Sequence, residues 1–96
     1  TIKSIKLLYF NQPSSWIFPP SSITIYCSPN GVDFEQISYS NKFDLSKEGA
    51  QIIDFQYKIL SCKYLKFIVN NYGSIPKNMQ GTGNPAWLFL DEIIIN

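Results

Sequence analysis

The C-terminal run, residues 81–96, constrains the fold more than any other part of the chain. A flexible Gly/Pro segment is followed from Ala86 onward by an apolar run that we predict to be a strand. Side chains alternate between the two faces of a strand, and here both faces are mainly apolar. The odd positions are Trp87, Phe89, Asp91, Ile93 and Ile95, and the even positions are Leu88, Leu90, Glu92 and Ile94. We therefore expect an inner strand, covered on both sides by a layered β structure.

Five further segments alternate over strand-like lengths, at residues 1–10, 22–28, 34–40, 51–58 and 63–70. The dipeptide Asn30-Gly31 separates the second and third of them and favours a hairpin, because both residues accept positive φ. No segment has the periodicity of an amphipathic helix. Six short strands with turn signals between them predict one all-β domain over residues 1–96, an antiparallel β-sandwich.

A long connection, residues 71–85, precedes the last strand and is rich in Gly and Pro. We predict that it is structureless. Loops of this length are uncommon in compact domains and often carry function. The chain starts at Thr1, inside a predicted strand, so we expect it to be part of something longer.

The composition excludes several classes of function. The net charge is +1, which gives no electrostatic footprint for nucleic acid, and no apolar run is long enough for a membrane span. Every basic residue is Lys, and the chain has no His. Without His there is no Ser-His or Cys-His pair for nucleophilic catalysis, so we predict that this chain is not an enzyme. The adjacent Asp91 and Glu92 would point to opposite faces of a strand and could not flank one scissile bond.

The two cysteines, Cys27 and Cys62, are too few and too far apart in sequence for a zinc site. They could form one disulfide or remain two thiols. We favour two buried thiols, because each cysteine lies in a strand-like apolar run.

Three motifs occur in a fixed order along the chain. They are Trp16-Ile-Phe-Pro-Pro with the hairpin Ile23-Thr-Ile-Tyr-Cys-Ser-Pro-Asn-Gly-Val-Asp-Phe, then Cys62-Lys-Tyr-Leu-Lys-Phe-Ile-Val, then Gly83-Asn-Pro-Ala-Trp-Leu-Phe-Leu-Asp-Glu-Ile. Together they resemble the discoidin, or coagulation-factor type C, superfamily, whose fold is a galactose-binding-like jelly roll. More narrowly, they resemble the version found at the C-terminus of bacterial β-N-acetylhexosaminidases (chitobiases) and in family 32 carbohydrate-binding modules. The match covers nearly the whole chain but only the later part of the family domain, which implies that the opening strands are lacking.

The resemblance implies a non-catalytic, carbohydrate-binding accessory module of a glycoside hydrolase that is secreted, periplasmic or on the cell surface. Its expected partners are a glycan and the catalytic domain of the parent enzyme. The alternative is a structural or protein-interaction sandwich that packs on its parent enzyme without binding glycans. In relatives that carry calcium, a Glu on the final strand helps to hold the metal, and Glu92 matches it by position. A structural calcium is one reading of Glu92, and a carboxylate bonded to backbone amides or a Lys is the other.

Sugar binding needs an exposed aromatic face together with a few hydrogen-bonding groups. The candidate platforms are Trp16, Phe18 and Tyr72. The candidate polar partners are Asn71 and Asn78, with Asn11, Gln12 and Asn84 as further amides. The alternative for Trp16 and Phe18 is that they plug the end of the sandwich, and we interpret Trp87 as structural.

Overall fold

The protein is an antiparallel β-sandwich made of two three-stranded sheets. A computed structural model describes residues 1–96. Its strands are β1 (Ile2–Asn11), β2 (Ser22–Ser28), β3 (Glu35–Ser40), β4 (Gly49–Leu60), β5 (Tyr64–Asn70) and β6 (Leu90–Ile95), with one 3-10 turn at Pro13–Ser15. The strand orders are β4-β1-β6 and β3-β2-β5. The predicted all-β sandwich is confirmed, and no helix has the length and apolar character needed to cross a bilayer.

The main core lies between the two central strands. Ile5 and Leu7 of β1 and Ile23 and Ile25 of β2 have no exposed surface. Each pair is spaced by two residues, so one face of each strand points inward, as the alternation predicts. Burying a side chain of this size stabilises the fold by about 1.5–3 kcal/mol. Half-buried apolar side chains from β3, β4 and β5 surround these four residues.

The predicted hairpin is formed by β2 and β3, which pair from Ile23 to Cys27. Its connection is longer than a two-residue turn, and only Gly31 has a positive φ. Ser28 Oγ accepts hydrogen bonds from the backbone N–H groups of Asn30 and Gly31. Asn30 Oδ1 accepts hydrogen bonds from the backbone N–H groups of Val32 and Asp33. These side-chain bonds shape the loop in place of a tight turn.

The prediction for the closing strand is wrong in its position. β6 begins at Leu90 and lies at the edge of its sheet, beside β1. Two of its isoleucines are partly exposed, Ile93 to 42% and Ile95 to 49%. Apolar residues on both faces are typical of an inner strand, but pairing decides which strand is central, and β1 pairs along both of its edges.

The side-chain alternation of β6 is also interrupted. Leu8 pairs with Glu92, but Tyr9 pairs with Leu90, so Asp91 is the extra residue of a β-bulge. A one-residue slip exchanges the two faces of a strand. The predicted faces therefore hold only from Glu92 onward.

The connection 71–85 is folded, which corrects the prediction that it is structureless. Ser74 forms a bridge with Pro85, Ile75 N donates to Asn84 O at 2.9 Å, and Gly83 N donates to Ile75 O at 3.0 Å. The segment thus doubles back on itself. It encloses a second apolar cluster of Phe18, Ile75 and Ala86, which is separate from the main core.

Cys27 and Cys62 form a disulfide, with their Cα atoms 5.8 Å apart, so the interpretation as buried thiols is wrong. The bond joins the end of β2 to the connection between β4 and β5. Pairing of β2 with β5 ends at Ser28 opposite Tyr64, and this register brings the residues before β5 beside the end of β2. Sequence patterns could not show this contact because it depends on the strand order.

Candidate functional site

The candidate binding site is an aromatic groove of about 390 Å³, lined by Trp16, Pro85, Ala86 and Trp87, which we call the tryptophan groove. It lies among the loops that follow β1 and β5 and precede β6. Trp87 is 61% exposed, and Trp16 is half-buried. An apolar groove with two indole rings is suited to a ligand that has a flat apolar face.

Backbone hydrogen bonds hold the two tryptophans next to each other. Ile17 and Trp87 form a parallel bridge, in which Trp87 N donates to Trp16 O at 2.8 Å and Phe18 N donates to Trp87 O at 2.9 Å. Trp16 follows the 3-10 turn in the left-handed region, with φ 65°. A bulky residue rarely adopts this conformation, which costs about 1–3 kcal/mol and often occurs at functional sites.

Gly81 covers one side of the Trp16 indole. Its φ is +84°, and a Cβ added there would lie 2.5 Å from Cε2 of Trp16. A carbon atom cannot approach that closely without displacing the ring. Glycine therefore lets the backbone of the 71–85 connection contact the indole and fix its position.

The three predicted aromatic platforms differ in burial and in whether they line the groove. Phe18 has no exposed surface, so its ring offers no face to a ligand and instead plugs the end of the sandwich. Tyr72 is half-buried against Phe18, with ring centroids 4.9 Å apart. Trp16 packs on the same cluster and reaches the groove. Of the three predicted platforms, only Trp16 lines the tryptophan groove.

The predicted amides are mostly engaged in holding loops. Asn71 Nδ2 donates to Ala86 O at 3.0 Å, and Asn71 Oδ1 accepts from Gly73 N at 2.7 Å. Asn84 Nδ2 donates to Gly81 O at 3.0 Å. Asn78 is exposed in the 71–85 connection, with φ 66°. Asn71 thus shapes the segment that precedes the groove.

Asn11 is fully buried and fastens another loop. Its Nδ2 donates to the carbonyl oxygens of Leu45 at 3.1 Å and Lys47 at 2.8 Å. Its Oδ1 is the one buried side-chain polar atom without a partner. Gln12, the next residue, pairs with Ile17 through the backbone. Neither amide side chain lines the tryptophan groove.

Glu92, the predicted calcium ligand, is exposed on the edge strand opposite Leu8. Nowhere in the chain do three or more His, Cys, Asp or Glu residues come together in a way that could hold a metal ion. Calcium takes six to eight oxygen ligands, several of them usually carboxylates. Glu92 therefore belongs to no such group, and its role as a calcium ligand stays a prediction.

The two titratable groups with displaced pKa values lie away from the groove. Burial raises the pKa of Tyr9 above its usual 10.0, and the nearby Asp44 carboxylate raises it further. Hydrogen bonds from the Ser46 side chain and backbone lower the pKa of Asp44, which is fully exposed. Tyr9 also packs edge-on against Phe43, with ring centroids 5.5 Å apart. This pair belongs to the fold and gives the groove no acid or base.

The raised pKa of Tyr9 predicts that the free energy of unfolding falls at alkaline pH. Because its pKa is raised on folding, its contribution is fully present below the unfolded value near 10 and is lost as pH rises through the folded value. Urea unfolding of the wild type between about pH 9 and about pH 11 should therefore show a steeper fall in free energy than that of Tyr9→Phe. Equal slopes for the two proteins would contradict this assignment.

Sequence reasoning missed the exposure of Trp87 because it placed this residue inside the closing strand. Trp87 precedes β6, and Ala86 N donates to Gly73 O in the loop rather than to a neighbouring strand. Pro85 was the available signal, because proline has no N–H to donate and is rarely found inside a paired strand.

No protein-family model matches this sequence, and no curated protein is significantly similar to it. The structure itself defines the class: a small, disulfide-linked β-sandwich with an aromatic groove at one loop end.

Proposed function

We propose that this chain is a non-catalytic carbohydrate-binding module that takes a sugar ring in the tryptophan groove. The observation that carries the proposal is the 61% exposure of Trp87 beside Trp16. The C–H face of a sugar ring is apolar and flat, and an indole presents a matching surface that loses little entropy on contact. Asn84, next to Pro85, is exposed and its side chain donates only through Nδ2 within the loop, so its Oδ1 is a candidate acceptor for the hydroxyl groups.

The rigidity of the groove supports binding over a role in packing alone. Trp16 is held in a strained conformation, and Gly81 is shaped to its indole. A preorganised site avoids part of the entropy cost of ordering side chains around a ligand. The structure thus holds the half-buried Trp16 indole in one arrangement beside the exposed Trp87.

We further propose that the chain is an accessory domain of a glycoside hydrolase of the hexosaminidase type. We also propose that its strands follow the jelly-roll topology of the discoidin superfamily. The disulfide supports the proposed location, since such bonds persist in secreted, periplasmic and cell-surface proteins. In this role, the chain would hold the parent enzyme near its glycan while the catalytic domain performs the hydrolysis.

The proposal predicts that Trp87→Ala weakens glycan binding. Titration calorimetry against oligomers of N-acetylglucosamine, N-acetylgalactosamine and galactose should find a ligand for the wild type. Trp87→Ala should then weaken its affinity at least roughly tenfold, which corresponds to about 1.4 kcal/mol of lost stacking and burial. Quenching of tryptophan fluorescence gives a second readout.

Tyr39→Ala is the matched control, because Tyr39 is an aromatic residue of similar exposure, 53%, on the other sheet. It should bind as the wild type does. Absence of binding across the whole panel, or equal affinities for the wild type and Trp87→Ala, would contradict the proposal.

A second candidate function is a protein-interaction sandwich, and a different groove favours it. This groove, of about 380 Å³, is lined by eight residues of which seven are hydrophobic, among them Leu8, Phe10, Leu88 and Leu90. Leu8→Lys would place a charge in it and should weaken contact with a parent catalytic domain while leaving sugar titrations unchanged.

A further inference from the structure

The free edge of β6 ends in an uncharged run of three isoleucines. β3, β4 and β5 are the other edge strands, and they carry charged residues such as Glu35, Lys58 and Lys66. Charged side chains on an edge strand discourage pairing with another chain. β6 also carries two charges, Asp91 and Glu92, but they lie at its start, and its C-terminal half is Ile93-Ile94-Ile95.

The hydrogen bonds between β6 and β1 show which residues of β6 direct their N–H and C=O groups toward the free edge. Asn96 N donates to Ser4 O at 3.0 Å, and Ser4 N donates to Asn96 O at 3.1 Å, so this pair is hydrogen-bonded. Hydrogen-bonded and non-hydrogen-bonded pairs alternate along antiparallel strands. Ile94 therefore bonds to β1, while Ile93 and Ile95 direct their N–H and C=O groups outward.

The side chains of Ile93 and Ile95 are also partly exposed. They lie opposite Leu7 and Ile5, on the inward face of their sheet, yet nearly half of each remains exposed. Neither belongs to the set that packs around the main core. Whatever covers this margin must supply both backbone hydrogen bonds and apolar side chains, which is the chemistry of a β-strand.

We propose that β6 pairs antiparallel with β6 of a second copy of this chain, about a two-fold axis at Ile94. In that register, Ile93 lies opposite the partner's Ile95, and Ile94 lies opposite the partner's Ile94. Only residues that direct their backbone groups outward can exchange hydrogen bonds, and this register pairs Ile93 with Ile95 in both directions. The two three-stranded sheets become one six-stranded sheet.

Charge argues against two of the other registers that the backbone permits. An axis at Glu92 would set the two Glu92 carboxylates against each other, which is destabilising. An axis at Ile93 would place Asp91 and Glu92 against isoleucines. The axis at Ile94 leaves both carboxylates outside the apolar contact. The same patch then serves both copies, as two-fold symmetry requires.

The contact is small, and its size sets the expected affinity. One pair of short strands buries less than the roughly 1,200 Å² at the lower end of stable interfaces. We therefore expect a reversible dimer with a Kd between about 1 μM and about 1 mM.

Cysteine cross-linking tests the register. Two residues in a non-hydrogen-bonded pair have Cα atoms about 4.5 Å apart, within the range for a disulfide. Ile94→Cys should form a covalent dimer under mild oxidation at least about tenfold faster than Ile68→Cys, which places a thiol on an exposed position of β5. Equal rates for the two variants would overturn the proposal.

Sedimentation equilibrium between about 10 μM and about 1 mM tests the edge itself. The wild type and Ile93→Ala should gain mass with concentration. Ile93→Pro, which removes only an outward N–H, should remain monomeric. A wild type that stays monomeric throughout, or an Ile93→Pro variant that dimerises equally well, would overturn the proposal. Cross-linking at Ile94 keeps the test valid if Ile93→Pro does not fold.

Discussion

Loss of the Cys27–Cys62 disulfide is expected to lower the free energy of unfolding by about 4 kcal/mol, because the open chain gains the conformational entropy that closure of a loop of this size removes. The two cysteines are 35 residues apart, and the loop between them contains β3 and β4. A chain of 96 residues has a limited core, so this is a large share of its stability.

Thermal unfolding measures this effect directly. The double variant Cys27→Ser/Cys62→Ser should unfold roughly 15–30 °C below the oxidised wild type, given the usual 4–8 °C per kcal/mol in small domains. Reductant should shift the wild type to the same range and leave the double variant unchanged. A difference below about 1 kcal/mol would mean that the bond adds little to the fold.

Phe18→Ala is expected to cost about 3–5 kcal/mol, since a fully buried aromatic ring is removed and a cavity remains. Phe18 forms the second apolar cluster with Ile75 and Ala86 and packs beneath Tyr72. Its backbone N–H also bonds to Trp87 O. The substitution should therefore weaken both the fold and any ligand bound in the tryptophan groove.

Urea unfolding together with ligand titration separates the two consequences. Phe18→Leu retains most of the buried volume and should lose less than half as much stability. Phe89→Ala is the exposed counterpart, because Phe89 is 50% exposed, and it should unfold nearly as the wild type does. If Phe18→Ala were as mild as Phe89→Ala, Phe18 would not support the loop end.

The strands of this fold could be predicted because they follow from local chemistry. The alternation around Ile5 and Ile25 identifies the inward faces of β1 and β2, and both residues are fully buried. The hairpin after β2 was equally clear from Asn30-Gly31. In each case, the deciding residues are neighbours in the sequence.

The remaining features depend on pairing between distant segments. Residues 90–95 have the composition of an inner strand, but β1 is central, so β6 is left at the edge. The contact between Cys27 and Cys62 arises from the β2–β5 register. Trp16 and Trp87 meet only because Ile17 and Trp87 form a bridge. No periodic pattern in the sequence indicates these contacts.

The candidate site was therefore only partly predictable. Trp16 was identified from its aromatic character, and it lines the groove. Phe18 has the same character but is buried against Ile75 and Ala86. Trp87, which we interpreted as structural, is 61% exposed and lines the groove.

The two apolar clusters of the molecule share no residue. One keeps the sheets together, and the other, with three buried members, holds the loops that carry the indoles. Regions of different burial open with different free energies. The exposed loop residues around the two tryptophans can therefore vary, in evolution or by design, without changing the packing of the main core.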